Sequence, residues 1–267
     1  MAIDLQTFEV SDPRFEHENL RSVTAHSTAL GGRGDITFFV PPNLPAAGTT
    51  PLMILLHGSY GSHWAWTGKG GVHRTALRLI EQGVHPPLVI GMPSDGLAGE
   101  TTGYISHDDV DFESWISDEV LACATRIVPS VNAQSKLFIA GLSMGGFGAM
   151  HLGCKHPSRF AAISAHSAVT DISTRRQIGL RTPEIHRLRT DPTHTVMYWA
   201  KRHREQLPPV RFDCGTEDYM LDENRQLHGA LEDEKIAHTY QEFPGGHTWE
   251  YWEQHIEDTL RFFAKVM

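Results

Sequence analysis

The sequence predicts an α/β protein with an eight-stranded, mostly parallel sheet and helices on both faces of that sheet. Three observations support this class. Short β-rich segments alternate with amphipathic helical segments, as in parallel strands joined by right-handed crossovers. Several strand segments are nearly continuous apolar runs, which is typical of strands covered on both faces. The 267 residues are enough to bury one large core, and we expect a single domain over residues 1–267.

Eight segments have the length and composition of strands. The first two alternate polar and apolar residues and adjoin each other, which indicates a hairpin. The next three are the apolar runs of a covered sheet. In chain order the eight segments are 21–27, 35–40, 52–56, 88–91, 137–141, 160–165, 210–214 and 238–243.

Amphipathic helices are predicted between the later strands. One ends before Gly83, a second ends before Pro129, and a third begins with Asp222 as its N-cap. Residues 167–209 contain no clear strand and are long for a connection, so we expect them to form a small lid insertion. The predicted helices are 73–82, 114–128, 222–234 and a C-terminal helix with Trp252, Ile256, Leu260 and Phe263 on one stripe.

Charge and cysteine content exclude several classes of function. The chain has 23 basic and 32 acidic side chains, and its net charge of −9 argues against nucleic acid or an anionic membrane as a partner. Its three cysteines form no CxxC pair, and an odd, low count is typical of a reducing compartment. Residues 1–18 do not form a secretory signal, and no segment is apolar over the length of a membrane span. We therefore expect a cytoplasmic protein.

The sharpest chemical signal is the G-x-S-x-G motif GLSMG at residues 141–145. It follows a predicted strand and precedes a segment of small residues, which is the setting of a nucleophilic serine. Because the turn is tight, a side chain two residues before or after the serine would strike the neighbouring strand or helix. The helix N-terminus also favours negative charge beside Ser143. We expect Ser143 to be the nucleophile.

A serine of ordinary acidity needs a base, and the base needs an acceptor that orients it. Of 17 histidines, His247 is the best candidate, because its glycine-flanked loop follows the last strand at the same sheet edge as Ser143. Asp218, in the loop after the seventh predicted strand, is the candidate acceptor. Glu217 and Asp222 are its rivals, although Asp222 fits better as a helix cap.

Negative charge that develops on a substrate oxygen needs two hydrogen-bond donors. The backbone N–H of Met144, directly after the nucleophile, is one candidate. The N–H of Ser59, in the loop after the third strand, is the other. Tyr60, Trp66 and Trp249 flank these positions in the sequence and are candidates for substrate binding.

The sequence lacks complete motifs for other chemistries. Lys69 follows a glycine, but residue 63 is a histidine, so the spacing of a phosphate-binding loop is broken. There is no H-E-x-x-H motif, and the histidine spacing gives no zinc set. The sequence thus predicts neither a metal nor a cofactor.

The chain resembles the esterase D-like α/β-hydrolases, a group with tributyrin, feruloyl and acetylxylan esterases, S-formylglutathione hydrolases and antigen 85 mycolyltransferases. The resemblance runs from about residue 20 to the C-terminus, and the HTWEYW segment is most similar to the tributyrin-esterase branch. Phe147 stands where tyrosine is common, and residues 93–111 depart from the group. The matching segments are LMILLHGSYGSHWAW, LFIAGLSMGGFGAMHLGCKHPSRF, FDCGTEDYMLDENRQLH and FPGGHTWEYWEQHIEDTLRFF.

The resemblance implies the α/β-hydrolase fold, with Ser143, Asp218 and His247 as triad and Ser59 and Met144 as oxyanion donors. We therefore expect a serine carboxylesterase that hydrolyses short-chain acyl or small aromatic esters through an acyl-enzyme. A thioesterase of the S-formylglutathione hydrolase type or an acyltransferase would use the same residues. A non-catalytic binding protein with a hydrolase fold is a third alternative.

The expected partner is a small-molecule ester, and the oligomeric state, a homo-oligomer included, stays open. The insertion 167–209 is polar and charged in its middle, unlike the apolar lid of a lipase. We therefore expect a short pocket that prefers acyl chains of about two to six carbons, since each further methylene gains about 0.8 kcal/mol only against an apolar wall. The arginines of the insertion are an alternative binding surface for an acidic leaving group.

Overall fold

The computed structural model describes residues 7–46, 48–96, 101–106, 110–172 and 191–267, and these residues contain one nine-stranded sheet. All eight predicted strand segments are confirmed, with small shifts at their ends. The strands are β1 (Phe8–Val10), β2 (Leu20–Ser27), β3 (Gly32–Phe39), β4 (Leu52–Leu56), β5 (Val89–Pro93), β6 (Leu137–Leu142), β7 (Ala162–His166), β8 (Val210–Gly215) and β9 (Thr239–Phe243).

The sheet order is β1–β2–β3–β5–β4–β6–β7–β8–β9. The pairs from β1 to β3 and the pair β3–β5 are antiparallel, and all later pairs are parallel. The predicted class is therefore confirmed, but the count of eight strands is wrong for the described residues. The additional strand, β1, has three largely exposed residues and pairs only with β2, so it carries no hydrophobic pattern that a sequence reading could find.

Helices cover both faces of the sheet, as the α/β class requires. The predicted helix 114–128 begins earlier, at Phe112, and contains a π-helical turn at Trp115–Glu119. Asp222 is not the N-cap of its helix, because that helix begins at Leu221 with Met220 at the cap position. The helices are α1 (Ala65–Gly68), α2 (Val72–Glu81), α3 (Phe112–Ser114), α4 (Val120–Ile127), α5 (Met144–Lys155), α6 (Val196–Arg202), α7 (Leu221–Asp233) and α8 (Trp249–Ala264).

Two apolar layers lie against the sheet. One packs around Trp115, Phe147 and Phe212, and the other packs α2 and the C-terminal helix α8 around Phe138 and Phe263. Every residue of β4 and β6 is buried, which explains their continuous apolar sequences. The arrangement fixes the position of the turn after β6, where the candidate nucleophile lies.

Part of the predicted lid insertion, residues 173–190, lies outside the described residues, and so do most of its arginines. The lid and the single domain therefore stay predictions. The described remainder forms α6, which packs on α5 through buried Val196 and Ala200. In the described part of the chain, no helix is both long and apolar enough to cross a membrane.

Candidate active site

Ser143 lies in the sharp turn between β6 and α5, with φ 52° and ψ −117°. A non-glycine residue at positive φ is strained, and such strain is typical of a nucleophile held at the top of a strand. The two flanking glycines allow the turn. A Cβ on Gly141 would collide with the carbonyl of Gly145, and a Cβ on Gly145 would lie 2.5 Å from Leu56 O. The spacing of the motif thus follows from backbone contacts.

The structure brings the three sequence-predicted triad residues together at the carboxyl edge of the sheet. The Oγ of Ser143 lies 3.0 Å from Nε2 of His247. The Nδ1 of the same histidine lies 2.9 and 3.0 Å from the two carboxylate oxygens of Asp218. These residues follow β6, β9 and β8 respectively, and parallel strands place such loops side by side.

The charge state of Asp218 suits an acceptor for the histidine. Burial raises the pKa of this carboxyl, but hydrogen bonds from His247 and from the backbone N–H of Met220 lower it more, so the net pKa lies below its usual value. An ionised Asp218 accepts the Nδ1–H of His247. The Nε2 of His247 then carries a lone pair toward Ser143, as a general base requires.

The two residues expected to supply the oxyanion donors lie beside Ser143 at the cavity. Met144 is the first residue of α5, so its N–H has no acceptor within the helix. Ser59 lies in the turn closed by the hydrogen bond from Gly61 N–H to Gly58 O, at 3.1 Å. Ser59 and Met144 both line the same cavity as Ser143. Their positions suit the two oxyanion donors expected from the sequence.

The Ser59 turn is fixed from below by buried polar groups. The ring Nδ1–H of His57 donates to Gly58 O at 2.7 Å, and Tyr104 OH donates to His57 O at 2.8 Å. Burial lowers the pKa of His57, which favours the neutral imidazole. The loop that carries Ser59 is therefore anchored to the strand end rather than to solvent-exposed side chains.

The cavity above Ser143 has a volume of about 410 Å³ and an aromatic mouth. Tyr60, Trp64 and Tyr219 are 69%, 49% and 72% exposed, so half of the six exposed large apolar side chains in the described residues lie at this mouth. Trp249 also lines the cavity, as expected. Trp66 does not: it is 1% exposed, and its indole N–H donates to Leu56 O at 2.9 Å. It contacts Trp249 edge-to-face at 5.5 Å and supports the wall from behind.

A buried charged cluster lies beneath the triad and joins β7, β8 and α8. The carboxylate of Asp213 accepts hydrogen bonds from Arg211 at 2.6 Å and Tyr251 OH at 2.7 Å, and it lies 2.8 Å from His166 Nδ1. His166 Nε2 in turn lies 2.8 Å from the hydroxyl of Thr259. Burial raises the pKa of Asp213, but the opposing charges and hydrogen bonds bring it to about 2. The cluster therefore holds an ionised carboxylate on β8, the strand that leads into the loop of Asp218.

Several cavity residues were not among the expected binding residues, and two of them, Lys69 and Tyr219, have functional side chains close to the site. Lys69 follows α1 and lines the cavity, although the sequence suggested only a broken phosphate-binding loop there. Tyr219 adjoins Asp218, and its ring centroid lies 4.5 Å from that of His247. The position of Tyr219 next to Asp218 in the sequence could have indicated that Tyr219 lies at the site. Nothing local to Lys69 indicates that the chain returns to the site at that point.

Among the described residues, no group of three His, Cys, Asp or Glu side chains is arranged to hold a metal ion. The side chains that the site brings into hydrogen-bond contact are Ser143, His247 and Asp218. A serine on a strand-to-helix turn of this sheet contacts a histidine, and the other ring nitrogen of that histidine contacts a carboxylate. This arrangement defines a serine hydrolase of the α/β-hydrolase fold.

The comparison with protein families then gives the particular group. Residues 27–263 match the family model Esterase, so the chain belongs to this family of carboxylic ester hydrolases. It is 26% identical over 234 residues to the acetyl esterase of Caldicellulosiruptor saccharolyticus, a match that covers 80% of this chain and 83% of that protein. The resemblance to the esterase D-like group, stated from the sequence, is confirmed.

Solved structures of related esterases share the fold. A ferulic acid esterase superposes with a TM-score of 0.80 at 24% identity and covers 97% of this chain and 99% of its own. The S-formylglutathione hydrolase from Agrobacterium tumefaciens gives a TM-score of 0.77 at 18% identity, covering 98% and 99%. At these identities the likeness establishes the architecture and leaves the substrate to be argued from the site.

Proposed function

We propose that this protein is a serine carboxylesterase that hydrolyses short-chain acyl or small aromatic esters through a Ser143–His247–Asp218 triad. The observation that carries the proposal is the continuous contact from Ser143 Oγ to His247 Nε2 at 3.0 Å and from His247 Nδ1 to Asp218 at 2.9 Å. The serine of this array lies on the wall of a cavity. This contact supports Ser143 as nucleophile, His247 as its base and Asp218 as the acceptor that orients the base.

The proposed reaction has two halves. Ser143 attacks the ester carbonyl while His247 takes its proton, and the N–H groups of Met144 and Ser59 stabilise the developing oxyanion. His247 then protonates the departing alcohol, and an acyl-enzyme forms on Ser143. Water, activated by the same histidine, attacks the acyl group and regenerates the serine. Asp218 holds the imidazole in the required tautomer and stabilises its protonated form.

Cavity size supports a small substrate. A volume of about 410 Å³ lies at the lower end of the range of small-molecule sites, about 300–1,000 Å³. Two of the relatives are named for acetyl and ferulic acid esters, which are also small. We therefore propose acyl groups of about two to six carbons or a single aromatic ring, because longer chains would extend into solvent beyond the apolar wall.

A panel of p-nitrophenyl esters from acetate to palmitate, with methyl ferulate and S-formylglutathione, tests this function. We expect the highest kcat/KM on the short or aromatic esters, no activation at an emulsion surface, and loss of turnover in Ser143→Ala. Ser158→Ala, at an exposed serine, is the matched control. Best activity on esters of twelve or more carbons would refute the short pocket. A preference for S-formylglutathione would favour the thioesterase alternative. The cytoplasmic location of the protein stays a prediction, which this panel does not test.

A further inference from the structure

Among the described residues, the wall of the cavity carries one cation and no carboxylate. Of the described residues that line it, Lys69 is the sole Lys or Arg, and none is Asp or Glu. The side chain of Lys69 is exposed, and no carboxylate of the described residues lies within ion-pair distance of its ammonium. Its Nζ instead lies over the ring of Trp249, 5.7 Å from the centroid. An ammonium in this position has hydrogen bonds available for a ligand.

The nearby acids do not neutralise this position. Asp218 accepts the hydrogen bond of His247 and does not line the cavity. Glu250, which adjoins Trp249 in the sequence, and Glu217, two residues before Tyr219, do not line the cavity. The chain as a whole carries a net charge of −9, so its general field disfavours anions. Within the described part of the chain, the cation of Lys69 at the cavity is therefore a local exception to the net negative charge of the molecule.

The position of Lys69 is built by packing. A Cβ added to the next residue, Gly70, would lie 3.0 Å from the indole of Trp249 and 3.2 Å from that of Trp66, so the backbone here rests directly on both rings. Trp249 contacts Trp252 edge-to-face at 5.3 Å, and Trp252 contacts His247 in the same way at 4.9 Å. Two indole rings thus connect the ammonium to the candidate base, on one wall of one cavity.

We propose that Lys69 is a specificity-determining residue that selects esters carrying a carboxylate. The inference rests on the proposed esterase function and adds the charge of the substrate to it. The carboxylate would pair with the ammonium beside Trp249 while the ester carbonyl lies at Ser143, and the exposed rings at the mouth would cover the remainder of the substrate. A carboxylate on the acyl part and one on the leaving group satisfy this chemistry equally, and the experiment separates the two.

The test compares charged esters with neutral isosteres. In the first pair, mono-(p-nitrophenyl) succinate is compared with p-nitrophenyl pentanoate, and the charge lies on the acyl part. In the second pair, 4-acetoxybenzoate is compared with methyl 4-acetoxybenzoate, and the charge lies on the leaving group. The readout is the ratio of kcat/KM for the charged ester to that for the neutral ester, in wild type, Lys69→Met, Lys69→Arg and Lys69→Glu. Lys265→Met, at an exposed lysine after the C-terminal helix, is the control.

We expect Lys69→Met to lower the ratio about 3- to 10-fold for one of the two pairs, mainly through KM, because a partly exposed charge pair contributes this much. Lys69→Arg should retain the ratio, Lys69→Glu should lower it further, and Lys265→Met should leave it unchanged. Raising the salt concentration to about 0.5 M should reduce the wild-type ratio but not that of Lys69→Met.

Equal ratios in wild type and Lys69→Met for both pairs would overturn the assignment, and so would an equal fall in Lys265→Met. Failure of the wild type to hydrolyse any of the four esters would instead refute the esterase function itself. Thermal melts of every variant show whether the fold is retained, and the Lys69→Glu result keeps the test decisive if the methionine variant is unstable.

Discussion

Substitution of Asp213 by Asn removes the carboxylate at the centre of the buried cluster and leaves the shape of the side chain nearly unchanged. In the folded protein this carboxylate faces Arg211 at 2.6 Å, Tyr251 at 2.7 Å and His166 at 2.8 Å. Arg211 is almost fully buried, and its remaining carboxylate neighbour, Asp258, is 3.8 Å away. The variant therefore holds a buried guanidinium without a close counter-charge.

Two magnitudes bear on how much stability Asp213→Asn loses. The pKa of Asp213 falls from the usual 3.8 to about 2, and this shift corresponds to about 2 kcal/mol of stability at neutral pH. Breaking a buried ion pair by removing one partner costs more, about 3–5 kcal/mol, because the other charge is left unpaired. The larger figure applies to Asp213→Asn. For a chain of this size it corresponds to a fall in Tm of roughly 6–20 °C.

The pH dependence has a definite sign. A carboxyl whose pKa is lower in the folded than in the unfolded state contributes stability that is present above the unfolded value and lost as the pH falls through the folded value. The stability difference between wild type and Asp213→Asn should therefore be constant above about pH 5 and narrow by about 1 kcal/mol at pH 3.

Urea unfolding at pH 7 and pH 3, followed by circular dichroism, measures both effects. The double variant Arg211→Met/Asp213→Asn is the control, because it also removes the unpaired charge and should be more stable than Asp213→Asn alone. A loss below about 1 kcal/mol at pH 7 would refute the reasoning, since that is the value of an exposed ion pair. A difference that does not narrow at pH 3 would show that Asp213 is not ionised in the folded protein.

Two further predictions concern catalysis and the turn at the nucleophile. Asp218→Asn should lower kcat roughly 10³- to 10⁴-fold with little change in Tm, because the histidine loses the acceptor that fixes its tautomer. Steady-state kinetics at pH 7 measure this effect. A loss of kcat under tenfold would contradict the prediction. Gly145→Ala should lower kcat/KM by about 10²-fold or more, because the new Cβ, 2.5 Å from Leu56 O, forces α5 away from β4. Gly229→Ala, where a Cβ meets open space in α7, is its control and should raise stability by about 0.5–1 kcal/mol; equal activity in the two glycine variants would refute the steric account.

The elements that a local pattern determines could be predicted from the sequence. The turn at Ser143 is an example, because the glycines at 141 and 145 record backbone contacts that allow no side chain. The eight strands with a hydrophobic pattern are a second example. The strand β1 has no such pattern, and its existence depends on pairing with β2. The π-helical turn at Trp115–Glu119 likewise leaves no mark on the spacing of apolar residues.

Features that depend on tertiary contacts were missed or misplaced. Asp222 is a residue type that is common at N-caps, but Met220 occupies the cap position of this helix. The N–H of Met220 donates to the carboxylate of Asp218, and the helix begins at Leu221, one residue earlier than expected. Trp66 looked like a pocket residue and lies behind the wall, because its indole N–H finds an acceptor in the core. The pair Arg211 and Asp213 did contain a signal: two opposite charges two residues apart on a buried strand share one face.

The most direct test of the central claim is the identity of the residue that a fluorophosphonate modifies. The protein is titrated with the probe, residual hydrolysis of p-nitrophenyl acetate is measured, and the modified peptide is identified by mass spectrometry. We predict one adduct, on Ser143, that forms in proportion to the loss of activity and does not form in Ser143→Ala. An adduct on a different residue, or wild-type hydrolysis by Ser143→Ala, would contradict the assignment of this serine as the nucleophile.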